Sequence, residues 1–410
     1  MGETNLSEFN DWLKEFYLPI VREQFKTQTI LLDSRIITQD SENISGKQAN
    51  LAIEGISFAG VGSRAESGTL PTPQPGRYTR LTIGMKYHYA SLLITGQTLA
   101  ASRDNSGAFA DAMTTESNTK LRAFHMDINR QLIWDGNAIL ALVDGTPTTT
   151  AITIDAAGGL ADDVNGDKFL SEDCDIDIYS STGTLRGTCK ITAVTEGSGT
   201  STSAIITVDA LPDGVLDGDY IYRAGAKGNE MTGLYGMAST TTTLHSLAPS
   251  SFRDWVATVV TGATAGTAEP LTKYRMEKLR SDMFHRGGNA VDFVLAGPGV
   301  SLTYGDLAAR GGIMVNRVKV GTTDWEGADW GGRAIVEDSF MPKQRMFYLA
   351  RRVLTLYQMN EPSWLSNTSG SILDRVYGTD TYRADYGWYS LLGCSMRRGI
   401  GMLSDITELS

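Results

Sequence analysis

From Ser106 to Asp135 the chain runs for thirty residues with no proline and no glycine after Gly107. Phe109, Met113, Leu121, Phe124, Ile128 and Leu132 recur there on one helical face, with Asp, Glu, Lys and Arg largely on the others. Gly136 follows as a natural C-terminal stop. The spacing predicts a rod of roughly 45 Å at 1.5 Å per residue, long for a globular helix. So narrow an apolar stripe on so long a rod suggests a spine lying across a sheet.

The residues before this rod follow a different period. From Ser45 to Gly96 apolar and polar residues alternate around the turn-rich SRAESGTLPTPQPGRYTR, where two glycines and three prolines exclude helix. Leu81, Ile83, Met85, Tyr87 and Tyr89 alternate with Thr82, Gly84, Lys86 and His88, which predicts a half-exposed strand. The result is a long two-stranded hairpin. Two strands alone bury too little apolar surface to offset backbone entropy, so the ribbon must lie on its own body or on another copy of the chain.

Nearer the N-terminus, Phe9, Trp12, Leu13, Phe16, Tyr17 and Ile20 form one helical stripe, and Pro19 ends or kinks it near Leu18. An ordinary core helix and an arm docking on a neighbour both fit. From about Gly145 to Gly225 Thr, Gly, Asp and Ser dominate, with short runs such as AITID, DIDIY, CKITAVT and AIITVD. They predict a small β-domain inserted into a host. After Glu230 the pattern is mixed: helices over 251–260 and 270–285, strands near 290–296, 317–320, 333–337 and 345–349. A compact α+β body is expected, closed by a strand-rich return segment.

At 410 residues the chain is expected to form two or three domains. Its formal charge of −11 disfavours a dedicated nucleic-acid reader. No apolar run approaches the ~20 residues of a spanning helix, and the first residues carry no signal-peptide pattern, so a soluble protein made in a cytosol is expected. Cys174, Cys189 and Cys394 are too scattered for a disulfide framework or zinc site and are expected to be free thiols.

Patterns that carry catalysis are missing from the sequence: no HExxH, GxSxG, Walker-type loop or paired CxxC occurs. His88, His125, His245 and His285 have no companion at metal-ligand spacing. In FAGVGSRAESG, Gly60 and Gly62 are followed by Ala65 in place of the third glycine of a dinucleotide loop. The run Asp162, Asp163, Asn165, Asp167 puts Ala161 at the first calcium-loop position and reads as a solvated turn. No enzyme, cofactor or metal is expected.

The order of elements resembles the major capsid protein of tailed phages, the Hong Kong 97-type fold. The passage GTLPTPQPGRYTRLTIGMKYHYASLLITGQTLAAS leading into SGAFADAMTTESNTKLRAFHMDINRQLIWDGN is similar to that family's junction of hairpin and spine helix. WGGRAIVEDSFMPKQRMFYLA and YRADYGWYSLLGCSMRRGIGML resemble its axial strands and closing peripheral strand. The resemblance implies an N-terminal arm (1–44), an extended hairpin (45–96), a peripheral domain with the spine helix (97–144) and an inserted β-domain (145–229). Axial domain and peripheral returns (230–380) and a C-terminal strand segment (381–410) complete it.

For function, the resemblance implies an icosahedral shell of hexamers and pentamers enclosing double-stranded DNA in a virion assembled in the bacterial cytoplasm. A separate scaffolding protein is expected, because only about forty residues precede the hairpin, and portal and decoration proteins are further partners. Lys47 and Lys86 flank the hairpin, but the sequence shows no suitable acceptor for a Lys–Asn cross-link. Trp12 and Phe16 are candidate apolar anchors, and Arg64, Glu66, Arg77 and Arg80 candidate charge partners of an adjacent subunit. The alternatives are a tail-tube or decoration protein and a β-rich surface-binding protein, which the long helix and the state of association would discriminate.

Overall fold

The computed structural model describes residues 30–409 except 33–35, 42–43, 46, 56–57, 59, 98–105, 198–202, 265, 287–289, 313–315, 321–324, 351–352 and 367–370, and the side chains of 45 and 106–116. In chain order come β1 (Thr38–Asp40), β2 (Ile44–Ser45), β3 (Gln48–Gly55), β4 (Arg77–Gly84) and β5 (Lys86–Thr95). β3 and β4 pair antiparallel over eight residues, from Gln48 opposite Gly84 to Gly55 opposite Arg77.

The hairpin ends earlier than its alternation predicts. Met85 belongs to neither strand and donates its N–H to the Lys47 carbonyl at 2.9 Å. β5 beyond it leaves the ribbon and joins another sheet. Leu81, Ile83 and Met85 face inward as expected, but then His88 and Leu92 take the inward positions, and Tyr87 and Tyr89 are exposed. One residue outside the ladder shifts a period of two to the opposite face.

The spine is helix α1 (Ser106–Ile133), about 42 Å long at 1.5 Å per residue. Leu121, Phe124, Ile128 and Leu132 are buried, and the Phe124 ring stands edge-on to Tyr386 at 5.4 Å. The narrow stripe does not persist: His125, Asn129, Arg130, Gln131 and Ile133 are buried too. The last turns of α1 are covered by both the sheet and the barrel that follows.

That barrel is the inserted β-rich region. β6 (Ile139–Val143), β7 (Ala151–Asp155), β8 (Asp175–Tyr179), β9 (Leu185–Thr195), β10 (Ala204–Val208) and β11 (Tyr220–Arg223) close in the order β10-β7-β6-β11-β8-β9. Ile152, Ile154, Ile176, Ile178, Ile191, Ile206 and Ile221 fill its interior, each 0% exposed. Closure leaves no free edge. A boundary at residue 145 cuts off β6, because ILALV lacks the alternation that marks the other strands.

Gly158 packs this barrel against the spine. Its φ is +62°, and a Cβ there would lie 1.8 Å from the Trp134 ring. Gly158→Ala is expected to lower subunit stability by about 2–4 kcal/mol through strain and overpacking. Denaturant titration of the unassembled subunit measures it, and an unshifted midpoint would contradict the close approach.

Beyond the barrel lie β12 (Thr258–Val260), α2 (Lys273–His285), β13 (Phe293–Ala296), α3 (Pro298–Arg310), β14 (Arg317–Lys319), β15 (Glu326–Trp330), β16 (Arg333–Glu337) and β17 (Met346–Leu349). The helix expected over 251–260 is instead two turns and β12, whose Thr-Val-Val run pairs parallel to Gly401–Leu403. α3 was missed because Gly297-Pro298-Gly299 reads as a loop, although proline suits a first helical turn.

The chain closes with β18 (Leu354–Gln358), β19 (Ser363–Trp364), β20 (Asp374–Arg375), β21 (Thr381–Cys394) and β22 (Ile400–Leu403). β12-β22-β17-β13-β16-β15-β14 make a seven-stranded sheet. One face, with Val294, Ile335 and Tyr348, packs on Met276, Leu279 and Met283 of α2 and Val300 and Tyr304 of α3. The other, with Phe293, Val336 and Phe347, joins the main core. A six-stranded sheet centres on β21, which pairs with β5, β18, β19 and β20, while β1 adds parallel to β18. The return segment therefore threads both sheets: β21 lies in one and β22 in the other.

The acidic run at Asp162 is no solvated turn. Asp163 is 0% exposed, with Lys343 Nζ at 3.4 Å and Lys168 Nζ at 3.5 Å, and Asp162 pairs with Arg345 at 3.0 Å. The pairs with Lys343 and Arg345 join the barrel to the seven-stranded body. Among the described residues no helix is long and apolar enough to cross a membrane, and no group of three metal-ligating side chains occurs.

Candidate intersubunit surface

The hairpin's register decides what it offers to a neighbour. Residues directly opposite in an antiparallel pair share a face, so Ala49, Leu51, Ile53 and Gly55 stand with Ile83, Leu81, Thr79 and Arg77. Ala49, Ile53, Leu81 and Ile83 are buried on the chain's own body, Ala49 and Ile83 against Tyr357 and Leu391. The stem is thus anchored at home.

Of the charged candidates, Arg77 belongs to that anchor: its guanidinium donates to the Ser251 carbonyl at 2.5 Å and lies 4.7 Å from the centre of the Phe252 ring. Arg80, on the other face, donates to Asn50 Oδ1 from Nε (3.1 Å) and Nη2 (2.6 Å) and braces the ladder itself. Arg64 sits in the tip and donates to the Thr69 carbonyl at 2.9 Å and to that of Ser63 at 3.1 Å. Glu66 is exposed in the same tip. Arg64 and Glu66 thus lie close in the tip, whereas Arg77 and Arg80 fall on opposite faces of the stem. Trp12 and Phe16 lie outside the described residues.

The tip holds what the charge-centred reading missed. Phe58 is 79% exposed, Val61 73% and Leu70 81%, and Tyr78, at the tip end of β4, is 68% exposed. Isolated exposed apolar residues are ordinary, but four large ones on one ribbon make a candidate interaction surface. Their sequence signal is faint: in a stretch of Gly, Pro and Ser with no period, nothing marks a large apolar residue as facing out.

A groove of about 670 Å³ runs where β5, α1 and the 223–230 segment meet. Its floor is an ionic cluster. Asp127 takes Arg130 at 3.0 Å, Arg223 at 3.4 Å and Gln131 Nε2 at 2.8 Å, while Arg130 also pairs with Glu230. Burial pushes the Asp127 carboxyl up, but Arg130 and Arg223 overcome it and hold the group at about 2. Lys86 reaches the Gly228 carbonyl at 2.7 Å. These charges answer one another: Asp127 and Glu230 share Arg130, and Asp127 also takes Arg223.

The buried imidazoles make the fold acid-sensitive. Burial pulls His88, His125 and His245 down from 6.5 to about 4 each. A folded value below the unfolded one means the native state holds the neutral ring. The stabilisation is therefore full above pH 6.5 and drains as pH falls toward 4. Between pH 7 and pH 6 the three together are expected to lose about 2 kcal/mol, and more below. Denaturation midpoints of the unassembled subunit across that range measure the effect, and a flat profile down to pH 5 contradicts it.

No protein-family profile and no curated protein matches the chain. Solved structures do. A chain of the cyanophage A-1(L) capsid asymmetric unit superposes with a TM-score of 0.53 at 14% identity, covering 93% of each chain. A capsid chain of the native GTA particle gives 0.45 at 11%, covering 91% of this chain and 89% of that one. A chain from the capsid of Myoviridae phage XM1 gives 0.40 at 9%, covering 90% and 89%. The chain shares the fold of the cyanophage capsid chain over nearly its whole length.

Proposed function

We propose that this chain is the major capsid protein of a tailed phage, which tiles an icosahedral head around double-stranded DNA and performs no catalysis. The observation that carries the reading is a hairpin whose stem is fixed on its own body while its tip presents Phe58, Val61 and Leu70 bare. Burying such a surface in every copy holds a lattice through many moderate contacts. Sharing a fold with the A-1(L) capsid chain at 93% coverage supports the same reading.

In this reading α1 with the six-stranded sheet is the peripheral part, the seven-stranded sheet with α2 and α3 the axial part, and the barrel an insertion. Arg64 and Glu66 are the charges placed to meet a neighbour, with Trp12 and Phe16 as anchors of an N-terminal arm. A scaffolding protein directs assembly in the bacterial cytoplasm, and portal and decoration proteins complete the head.

Size-exclusion chromatography and negative-stain images of the purified chain test the proposal. Pentamers, hexamers or shell fragments are expected as concentration rises. A species that stays monomeric throughout would favour a surface-binding protein instead. Uniform shells from the chain alone would remove the scaffolding partner.

A further inference from the structure

The groove beside α1 is opposite in sign to the chain as a whole. Lys86, Lys120 and Arg223 line it and Arg130 lies beneath, against the carboxylates of Asp127 and Glu230, a formal +2 on a chain of −11. Arg130 and Arg223 are taken up by those carboxylates. Lys86 donates to the Gly228 carbonyl rather than to a carboxylate, and Lys120 is exposed. The uncommitted charge is therefore that of the two lysines.

The rest of the lining points to an occupant. Met85 and Phe124 give the groove apolar surface. His88 lines it too and is 6% exposed, yet its Nε2 has no hydrogen-bond partner among the described residues. A buried polar atom is normally satisfied, so a further element with polar groups belongs against this ring.

One segment of this chain matches these features. Phe9, Trp12 and Phe16 recur at helical spacing, and Glu8, Asp11 and Glu15 recur at the same spacing one residue earlier, so an acidic stripe flanks an apolar one. The side chains of residues 1–20 include four carboxylates and one lysine, a formal −3. Thirteen residues separate Phe16 from Ile30 and reach about 45 Å when extended, against a radius of gyration of about 22 Å for a compact chain of 410 residues. Ile30 is buried in the core that also holds Phe124. A flexible tether of this kind supplies an effective concentration in the millimolar range. We infer that the groove between β5, α1 and the 223–230 segment seats residues 8–16 of the same chain in the unassembled subunit, with the apolar stripe inward and the carboxylates on Lys86 and Lys120. This seating does not rest on the shell reading, and its failure leaves that reading untouched.

A cysteine pair in the full-length chain tests it: Asn10→Cys in the segment with Ala123→Cys, which is exposed at the groove. The reference pair joins Asn10→Cys to Ser181→Cys, exposed in the loop between β8 and β9. After mild oxidation of the dilute protein, non-reducing gels and peptide mapping are expected to show a disulfide within single chains for the first pair, well above the reference. Adding Lys86→Glu and Lys120→Glu is expected to lower that yield about tenfold, and Glu8→Lys with Glu15→Lys to restore it. A yield no higher than the reference, or one unmoved by charge reversal, overturns the inference. Links only between chains overturn it as well and hand the groove to a neighbour's segment. Where the variants fail to fold, hydrogen exchange of the wild-type chain decides. Amides of residues 8–16 that are protected, and lose protection at about 1 M salt where the screening length is about 3 Å, support the seating; exchange at free-peptide rates overturns it.

Discussion

Replacing Phe58, Val61 and Leu70 together by serine is expected to leave a subunit that folds with an unchanged melting temperature and forms no shells. In the isolated subunit these side chains are 79%, 73% and 81% exposed, so their removal costs the fold little. Against a neighbour each would contribute about 1.5–3 kcal/mol on full burial. Even half of that for three residues is worth more than tenfold in one contact constant, since each 1.4 kcal/mol is a factor of ten. In a closed lattice the loss recurs at every copy. Electron microscopy counts the particles, and calorimetry checks the fold. Wild-type shell yield would remove the tip from the interface. A lowered melting temperature would mean that the side chains are covered within the subunit.

Arg397→Met is expected to cost the subunit about 3–5 kcal/mol, more than any surface substitution. Arg397 lies where the chain crosses from β21 to β22, and it is 0% exposed. Its Nε donates to the Met237 carbonyl at 2.8 Å, Nη1 to those of Thr242 at 2.8 Å and Trp255 at 3.5 Å, and Nη2 to Thr242 Oγ1 at 3.1 Å. Burial pulls the guanidinium down to about 10, which leaves it charged at neutral pH. Methionine fills much of the volume but strands the buried carbonyls of Met237 and Trp255, at about 1–3 kcal/mol each. Arg383→Ala is the control, because its pair with Asp385 at 2.8 Å is half exposed and is worth at most about 1 kcal/mol. Equal midpoints for the two variants would deny Arg397 its role in tying the β21–β22 crossing to the 237–255 segment.

Periodicity alone determined much of this protein. Leu121, Phe124, Ile128 and Leu132 at helical spacing marked the spine, and Leu81 and Ile83 in alternation marked the stem, because each pattern is set by bonds along the local backbone. Turn chemistry likewise set off most of the barrel strands. What the pattern could not carry was the partner of each element. Met85 shifts the strand phase through a hydrogen bond to Lys47, thirty-eight residues away. β6 joins a barrel whose other strands lie up to eighty residues downstream, and Asp163 is buried where Lys343 approaches from the turn before β17. The bare tip residues were hidden for the same reason. Exposure is the absence of a long-range contact, and only the closed tertiary structure decides which side chains find one.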